Sequence, residues 1–184
     1  MKTIVIYTST TGFTKKYAEW IAQALAADIV QARELRPDTL SAYDTVIYGG
    51  SLHAVGIRGI KVLKKNFARL DGKRIIVFAT GATPSRADVP EEVINANFSP
   101  EERARIRFFY LRGGFDYSKL GIVDKLLMSL LKLKIKRHDE KTPDEKGMLA
   151  AYSHPVDFTK RDHIRDLVAC AKGPEYSEGL EAKP

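Results

Sequence analysis

The stretch Thr3-Ile4-Val5-Ile6-Tyr7-Thr8-Ser9-Thr10-Thr11-Gly12-Phe13-Thr14 constrains the fold more than any other part of the chain. Its apolar half reads as a buried strand and its hydroxyl-rich half as a tight turn. Ala18, Ile21, Ala22 and Leu25 then recur at helical spacing. No charged residue lies between Lys2 and Lys15. A strand that feeds a helix through such a turn suits a bound phosphate. The helix N-terminus presents unpaired N–H groups and a partial positive charge. Small hydroxyl residues let an anion approach those groups and donate further hydrogen bonds. Gly12 permits a backbone angle that other residues resist. The same residues also fit an ordinary strand–turn–helix corner in which Thr14 caps the helix.

The rest of the chain alternates in the same way. Asp28 to Leu35 holds a short strand around Ile29 and Val30. Thr45-Val46-Ile47-Tyr48 is a near-continuous apolar run that fits a strand buried on both faces, and it ends in Gly49-Gly50-Ser51. A helix is predicted from about Ile57 to Leu70, with Ile60, Leu63, Phe67 and Leu70 on one face. Lys73 to Thr80 reads as another buried strand, followed by a small polar turn through Pro84. A weak helix follows from Pro90, and Ser99-Pro100-Glu101-Glu102 is a strong helix start. Ile106 to Leu111 is the last core strand and ends at Arg112-Gly113-Gly114. Such alternation predicts an α/β, doubly wound parallel sheet with right-handed crossovers. Ligands bind such sheets beyond the carboxyl ends of the strands. The three turns at 8–14, 49–56 and 80–84 all leave such ends, and all are rich in Gly, Ser and Thr.

A chain of 184 residues reads as one domain, here over 1–172, with 173–184 as a disordered tail. A single cysteine, Cys170, excludes an intrachain disulfide and fits a reducing compartment. His53, His138, His154 and His163 show no paired metal spacing, so no metal site is expected. The N-terminal residues have no signal-peptide pattern, and a cytoplasmic location is expected. Between Arg103 and Arg137 ten cations face only Asp116 and Asp124, a net +8 that exceeds the +7 of the whole chain. That excess favours an anionic partner, such as an acidic protein, an anionic lipid surface or a polyanionic small molecule. It contains no recognisable nucleic-acid module.

Leu120 to Ile135 reads as a helix with a wide apolar face, while Lys125, Ser129, Lys132 and Lys136 share one stripe. Two placements fit. It is a core helix whose lysines point to water, or a helix over 120–136 that lies at a membrane surface or a partner face. Arg137 to Pro155 is polar and turn-rich, with an ordered loop or short strand near Leu149 to Tyr152. Thr159-x-x-Asp162 reads as a capping pair for a final helix with Ile164, Leu167, Val168 and Ala171 inward.

The pattern Tyr7-x-Ser9-x-x-Gly12-x-Thr14-x-x-x-Ala18-x-x-Ile21 resembles the FMN-phosphate signature of the flavodoxins. Gly49-Gly50-Ser51-Leu52-His53, Leu111-Arg112-Gly113-Gly114 and Asp124-Lys125-x-x-Met128 resemble one branch in particular, the single-domain quinone-dependent protoporphyrinogen dehydrogenases. The resemblance implies a flavodoxin-like five-stranded sheet in the order 2-1-3-4-5, with an extra basic amphipathic helix after the last strand. It implies that Thr8, Ser9, Thr10, Thr11, Gly12, Phe13 and Thr14 hold the FMN phosphate. Gly50, Ser51, Leu52, His53 and Ala54, with Thr80, Gly81, Ala82 and Thr83, would flank the flavin ring. His53 is a candidate for a catalytic hydrogen bond or proton. The implied activity is an FMN-dependent oxidoreductase passing electrons from a reduced substrate, such as a porphyrinogen, to a quinone at the inner face of a membrane. The alternative is a flavodoxin-type electron carrier that serves an acidic redox partner and has no substrate of its own. Loops 52–55 and 81–84 contain no Trp, Tyr or Phe to sandwich a flavin, and the chain is basic where shuttle flavodoxins are acidic.

Overall fold

The computed structural model describes residues 1–84, 88–136, 149, 152 and 154–173. The expected tail over 173–184, apart from Gly173, and most of the turn-rich segment over 137–155 lie outside the described residues. Five parallel strands form the central sheet: β1 (Thr3–Thr8), β2 (Asp28–Gln31), β3 (Thr45–His53), β5 (Arg74–Gly81) and β6 (Ile106–Arg112). The two-residue strand β4 (Gly56–Ile57) pairs antiparallel with the end of β3. Spatial order is β2-β1-β3-β5-β6, which is the expected 2-1-3-4-5 once β4 is set aside as a hairpin arm. The order reverses beside β1, so a crevice opens at the carboxyl ends of β1 and β3.

Alternation along each strand divides the core into two layers. Ile4, Ile6, Val46, Tyr48, Ile75, Val77 and Ala79 bury toward one face, with Ile57, Ile60, Leu63, Leu70, Val93 and Phe98. These last residues come from β4, helix α2 (Lys61–Lys65), helix α3 (Asp88–Asn97) and the turns beside them. Val5, Tyr7, Ile47, Ile76 and Phe78 bury toward the other face, with Tyr17, Ala18 and Ile21 of helix α1 (Phe13–Leu25) and with Leu167, Val168 and Ala171 of the C-terminal helix. Because both faces are covered, the strands read as continuous apolar runs. Cys170 is half-buried and packs against this second layer.

Three local expectations are corrected. The predicted helix from Ile57 to Leu70 is broken into β4, the five-residue α2 and a 3-10 turn over Phe67–Leu70. Gly59 has φ +73, which no helix accommodates, and a Cβ there would lie 2.3 Å from Thr8 Oγ1. The backbone must pass that close to β1, so the turn precedes the helix. Asn66 ends α2 and its side chain donates to the Val62 carbonyl at 2.8 Å. The Thr159–Asp162 capping pair does not form. Thr159 Oγ1 instead donates to Asp157 at 2.6 Å, and a 3-10 turn over Arg161–Ile164 leads into the last helix. Thr14 does not cap α1. The cap position is Gly12, which offers no side chain. The expected capping box does form. Ser99 and Glu102 satisfy each other's backbone N–H groups at the start of helix α4 (Pro100–Ala104).

After β6 a second pair of short strands, β7 (Gly114–Phe115) and β8 (Val156–Asp157), closes antiparallel. Between them runs helix α5 (Ile122–Lys136), and α6 (Arg165–Lys172) ends the described chain. The orientation of α5 is opposite to a core helix with lysines outward. Ile122, Leu126, Leu130 and Leu133 are exposed by 89, 62, 56 and 56%, a single stripe at spacings of four, four and three. The polar stripe turns inward. Ser129 Oγ donates to the Lys125 carbonyl and meets Tyr117 Oη at 2.8 Å. Lys132 Nζ lies 4.8 Å from the centre of the Tyr152 ring, whose hydroxyl donates to the Met128 carbonyl. Hydrogen bonds and a cation–π contact with Tyr117 and Tyr152 hold that side against the body.

Candidate functional site

Helix α1 starts without a side-chain cap and without an acidic residue in its first turn. The N–H groups of Phe13, Thr14 and Lys15 therefore have no intrahelical acceptor. Gly12 adopts φ +97 and its N–H meets Ser9 Oγ at 3.2 Å. The Ser9 hydroxyl proton is left available. Thr10 is exposed and Thr11 half-buried, both directly in front of the helix end. An uncapped thirteen-residue helix with hydroxyls before it is a fitting receptor for a phosphate.

The two end hydroxyls of this loop have structural partners. Tyr48 Oη donates to the Arg58 carbonyl at 2.8 Å, which spends its only proton. It must then accept from Thr8 Oγ1, 3.0 Å away. Thr14 is buried, and its Oγ1 pairs with Thr80 Oγ1 at 2.6 Å, 66 residues on. This pair ties the first loop to the third. Phe13 is half-buried against Gly113 and Gly114 at the end of β6.

The second loop is shorter than the 49–56 turn read from sequence, since β3 runs on to His53 and the chain reverses through Ala54 and Val55 into β4. Gly50 is in the strand, and a Cβ there would collide with the Ile57 side chain and the Arg58 carbonyl. Ser51 Oγ is buried without a hydrogen-bond partner among the described residues. Its hydrogen-bonding capacity at the carboxyl end of β3 is therefore unmet. Leu52 is half-buried and lies near Gly81, while Ala54 is exposed in a left-handed conformation. His53 is half exposed and its Nδ1 stands 3.3 Å from Asp124 Oδ1 of α5. In the third loop Thr80 is buried, Gly81 and Ala82 half-buried and Thr83 exposed. Tyr110 Oη donates to the Thr83 carbonyl at 2.7 Å, and Arg112 Nε donates to that of Ala82 at 3.4 Å. The three loops thus sit side by side at the carboxyl ends of β1, β3 and β5.

A family model described as "Flavodoxin domain" matches residues 4–142, three quarters of the sequence. The chain belongs to the flavodoxin domain family. Membership implies FMN as its cofactor and redox or electron-transfer chemistry. Among solved structures, this flavodoxin-domain chain is similar to a flavodoxin from the domain Archaea, at 20% identity over 61% of this chain and 85% of that one, with a TM-score of 0.44. It is similar to oxidised flavodoxin 1 from Bacillus cereus at 17% identity over 61 and 84% of the two chains, TM-score 0.43. It is also similar to a WrbA-like flavodoxin from Agrobacterium tumefaciens at 18% identity over 67 and 87%, TM-score 0.39. No curated protein matches the chain.

Sequence reading missed three residues of this region, Tyr48, Arg58 and Tyr110, and read Asp124 only as part of a motif, without its contact to Arg58. Each acts through a partner outside its own local stretch, so residue type and spacing do not reveal the contact. Tyr48 is the most consequential, because it joins the first loop to the second. Burial pushes its hydroxyl up to about 12, although the Thr8 hydrogen bond pulls the other way. Burial likewise raises Tyr17 to about 12, with the Lys160 N–H opposing and Asp157 reinforcing the shift. Both raised values favour the neutral phenol in the folded state. Their stabilisation is complete below the ordinary tyrosine range near pH 10 and is lost as pH rises through about 12. Tyr48→Phe is expected to lower stability at neutral pH by about 1–2 kcal/mol, since the Arg58 carbonyl loses its donor. It should also flatten the loss of stability between pH 10 and 12. Urea titrations across that range check both; an unchanged alkaline slope would remove Tyr48 from the account.

Proposed function

We propose that the chain is an FMN-dependent dehydrogenase that takes electrons from a reduced anionic substrate of the porphyrinogen class and delivers them to a membrane quinone. The observation that carries the reading is the outward apolar stripe of α5, Ile122, Leu126, Leu130 and Leu133, on a helix whose Asp124 touches the second loop at His53 and Arg58. A quinone is dissolved in lipid. An enzyme that uses one benefits from an apolar face beside its flavin loop, whereas a carrier that meets an acidic protein does not. Among the described residues no helix is long and apolar enough to cross a membrane, so contact through α5 would be peripheral.

The chain's own residues have separable tasks. The free N–H groups at the start of α1, with Ser9, Thr10 and Thr11, would bind the phosphate. Ser51, Leu52 and Gly81 would line the ring end, with no Trp, Tyr or Phe in loops 52–55 and 81–84 to cover it. An uncovered ring face leaves room for a flat substrate. His53 stands where a hydrogen bond to ligand or substrate is available, and the net positive charge of 103–137 suits substrate carboxylates. When bound, FMN supplies the two-electron redox centre itself.

The test is anaerobic. Oxidised, FMN-loaded protein is mixed with protoporphyrinogen IX and the flavin absorbance is followed. Rapid bleaching, reversed by a menaquinone analogue, is expected. A flavin that stays oxidised with this substrate, yet is reduced by an acidic redox protein, would favour the electron-carrier reading.

A further inference from the structure

The contact between α5 and the second loop has a chemistry of its own. Asp124, in the first turn of α5, accepts from Arg58 Nη2 at 2.5 Å through Oδ2 and lies 3.3 Å from His53 Nδ1 through Oδ1. Its side chain is only 13% exposed, against 34% for Arg58 and 52% for His53. Arg58 Nη2 is also 3.2 Å from His53 Nδ1. That nitrogen can donate to the carboxylate or accept from the guanidinium, but not both at once. Arg58 Nη2 carries two hydrogens, so it can donate one to Asp124 Oδ2 and the other to His53 Nδ1, which places the imidazole's proton on Nε2.

The backbone on which these side chains stand belongs to the site. Arg58 N–H donates to the Ser51 carbonyl at 3.0 Å, and its own carbonyl accepts from Tyr48 Oη, which in turn is tied to Thr8. On its other flank the hairpin is held by Asn97 of α3, whose amide bonds the Val55 carbonyl and the Ile57 N–H. The turn itself is strained, since Ala54 carries a Cβ at φ +52. A strained two-residue turn keeps its shape only when its surroundings hold it. Asn97 supplies neutral hydrogen bonds from one side, and Asp124 supplies the charged contact from the other.

We propose that Asp124 is a positioning residue of the flavin site, clamping the hairpin from His53 to Arg58 onto the first turn of α5. The proposal rests on the FMN-binding reading of loops 50–54 and 80–83 and adds a dependence of the ring end on α5. A five-strand sheet of this order does not need that helix to form its crevice. Here the side chain that fixes Arg58, and through it His53, comes from it.

Asp124→Ala and the near-isosteric Asp124→Asn are compared with the wild-type chain by titration with FMN and with riboflavin, and by amide hydrogen exchange of 53–58 without flavin. Loss of the carboxylate leaves the partly buried Arg58 without its counter-charge. Both variants are expected to bind both flavins about tenfold more weakly, equally for the two ligands, because the clamp acts on the ring end. Faster exchange over 53–58 is expected in the flavin-free variants, with the exchange of β1 and β5 unchanged. In Arg58→Ala the further change Asp124→Ala should cost little, since the pair acts as a unit. Wild-type affinity and wild-type exchange over 53–58 in both variants would overturn the proposal, as would a loss confined to FMN. A wild-type chain that takes up neither flavin would overturn the cofactor reading instead, and the exchange rates would still decide whether Asp124 is a clamp.

Discussion

Thr11→Asp is expected to weaken FMN binding about a hundredfold while making the flavin-free chain slightly more stable. The two effects have opposite signs because one set of groups serves both. In the free chain the first N–H groups of α1 have no acceptor from a cap side chain and no acidic residue in the helix's first turn. A carboxylate at the half-buried position 11 meets the positive end of the helix dipole, worth about 0.3–1 kcal/mol. The phosphate of FMN carries close to two negative charges at neutral pH and would occupy the same place. The added carboxylate repels it and competes for the same donors. Riboflavin has no phosphate, so its affinity should change little. The measurement is a pair of fluorescence titrations and a thermal melt of the flavin-free chain. Equal losses for riboflavin and FMN would mean that position 11 acts on the ring end or on folding, and the phosphate site would have to be sought elsewhere.

What the sequence made legible was local or periodic. The run from Thr3 to Thr14 carries strand, turn and helix start within twelve consecutive residues, and each is written in residue type. The apolar runs ending at Gly49, Thr80 and Arg112 were readable for the same reason, and they are enough to dictate a parallel sheet. The break between Ile57 and Leu70 was not readable. Ile60, Leu63, Phe67 and Leu70 keep helical spacing through it, and only the approach of Gly59 to Thr8 explains why the chain cannot be helical there. The contacts that assemble the site were invisible because they span the fold. Thr14 meets Thr80 across 66 residues, and Arg58 meets Asp124 across the same distance. Periodicity located the stripes on α5 but not their direction. A helix with one apolar and one polar stripe can face either way, and Tyr117 and Tyr152 decide it by giving the polar side its partners.

That outward stripe yields the other large effect. Changing Ile122, Leu126, Leu130 and Leu133 together to Gln is expected to lower partitioning onto anionic lipid vesicles on the order of a thousandfold. Each side chain is more than half exposed, so each has roughly 1 kcal/mol of apolar burial to gain in the interfacial layer of a bilayer. The four lie on one face within twelve residues and can enter together. Gln supports a helix nearly as well as Leu, and exposed positions contribute little to packing, so stability should stay within about 2 kcal/mol of wild type. FMN affinity should be untouched, because all four side chains point mostly into solvent. The decisive comparison is the oxidation of the reduced flavin by two quinones, one water-soluble and one with a long isoprenoid tail held in vesicles. The quadruple variant should react normally with the first and slowly with the second. If it reacts normally with both, α5 is not the route to the lipid. The apolar stripe would then mark a protein-binding face, and the electron-carrier reading would gain what the quinone reading loses.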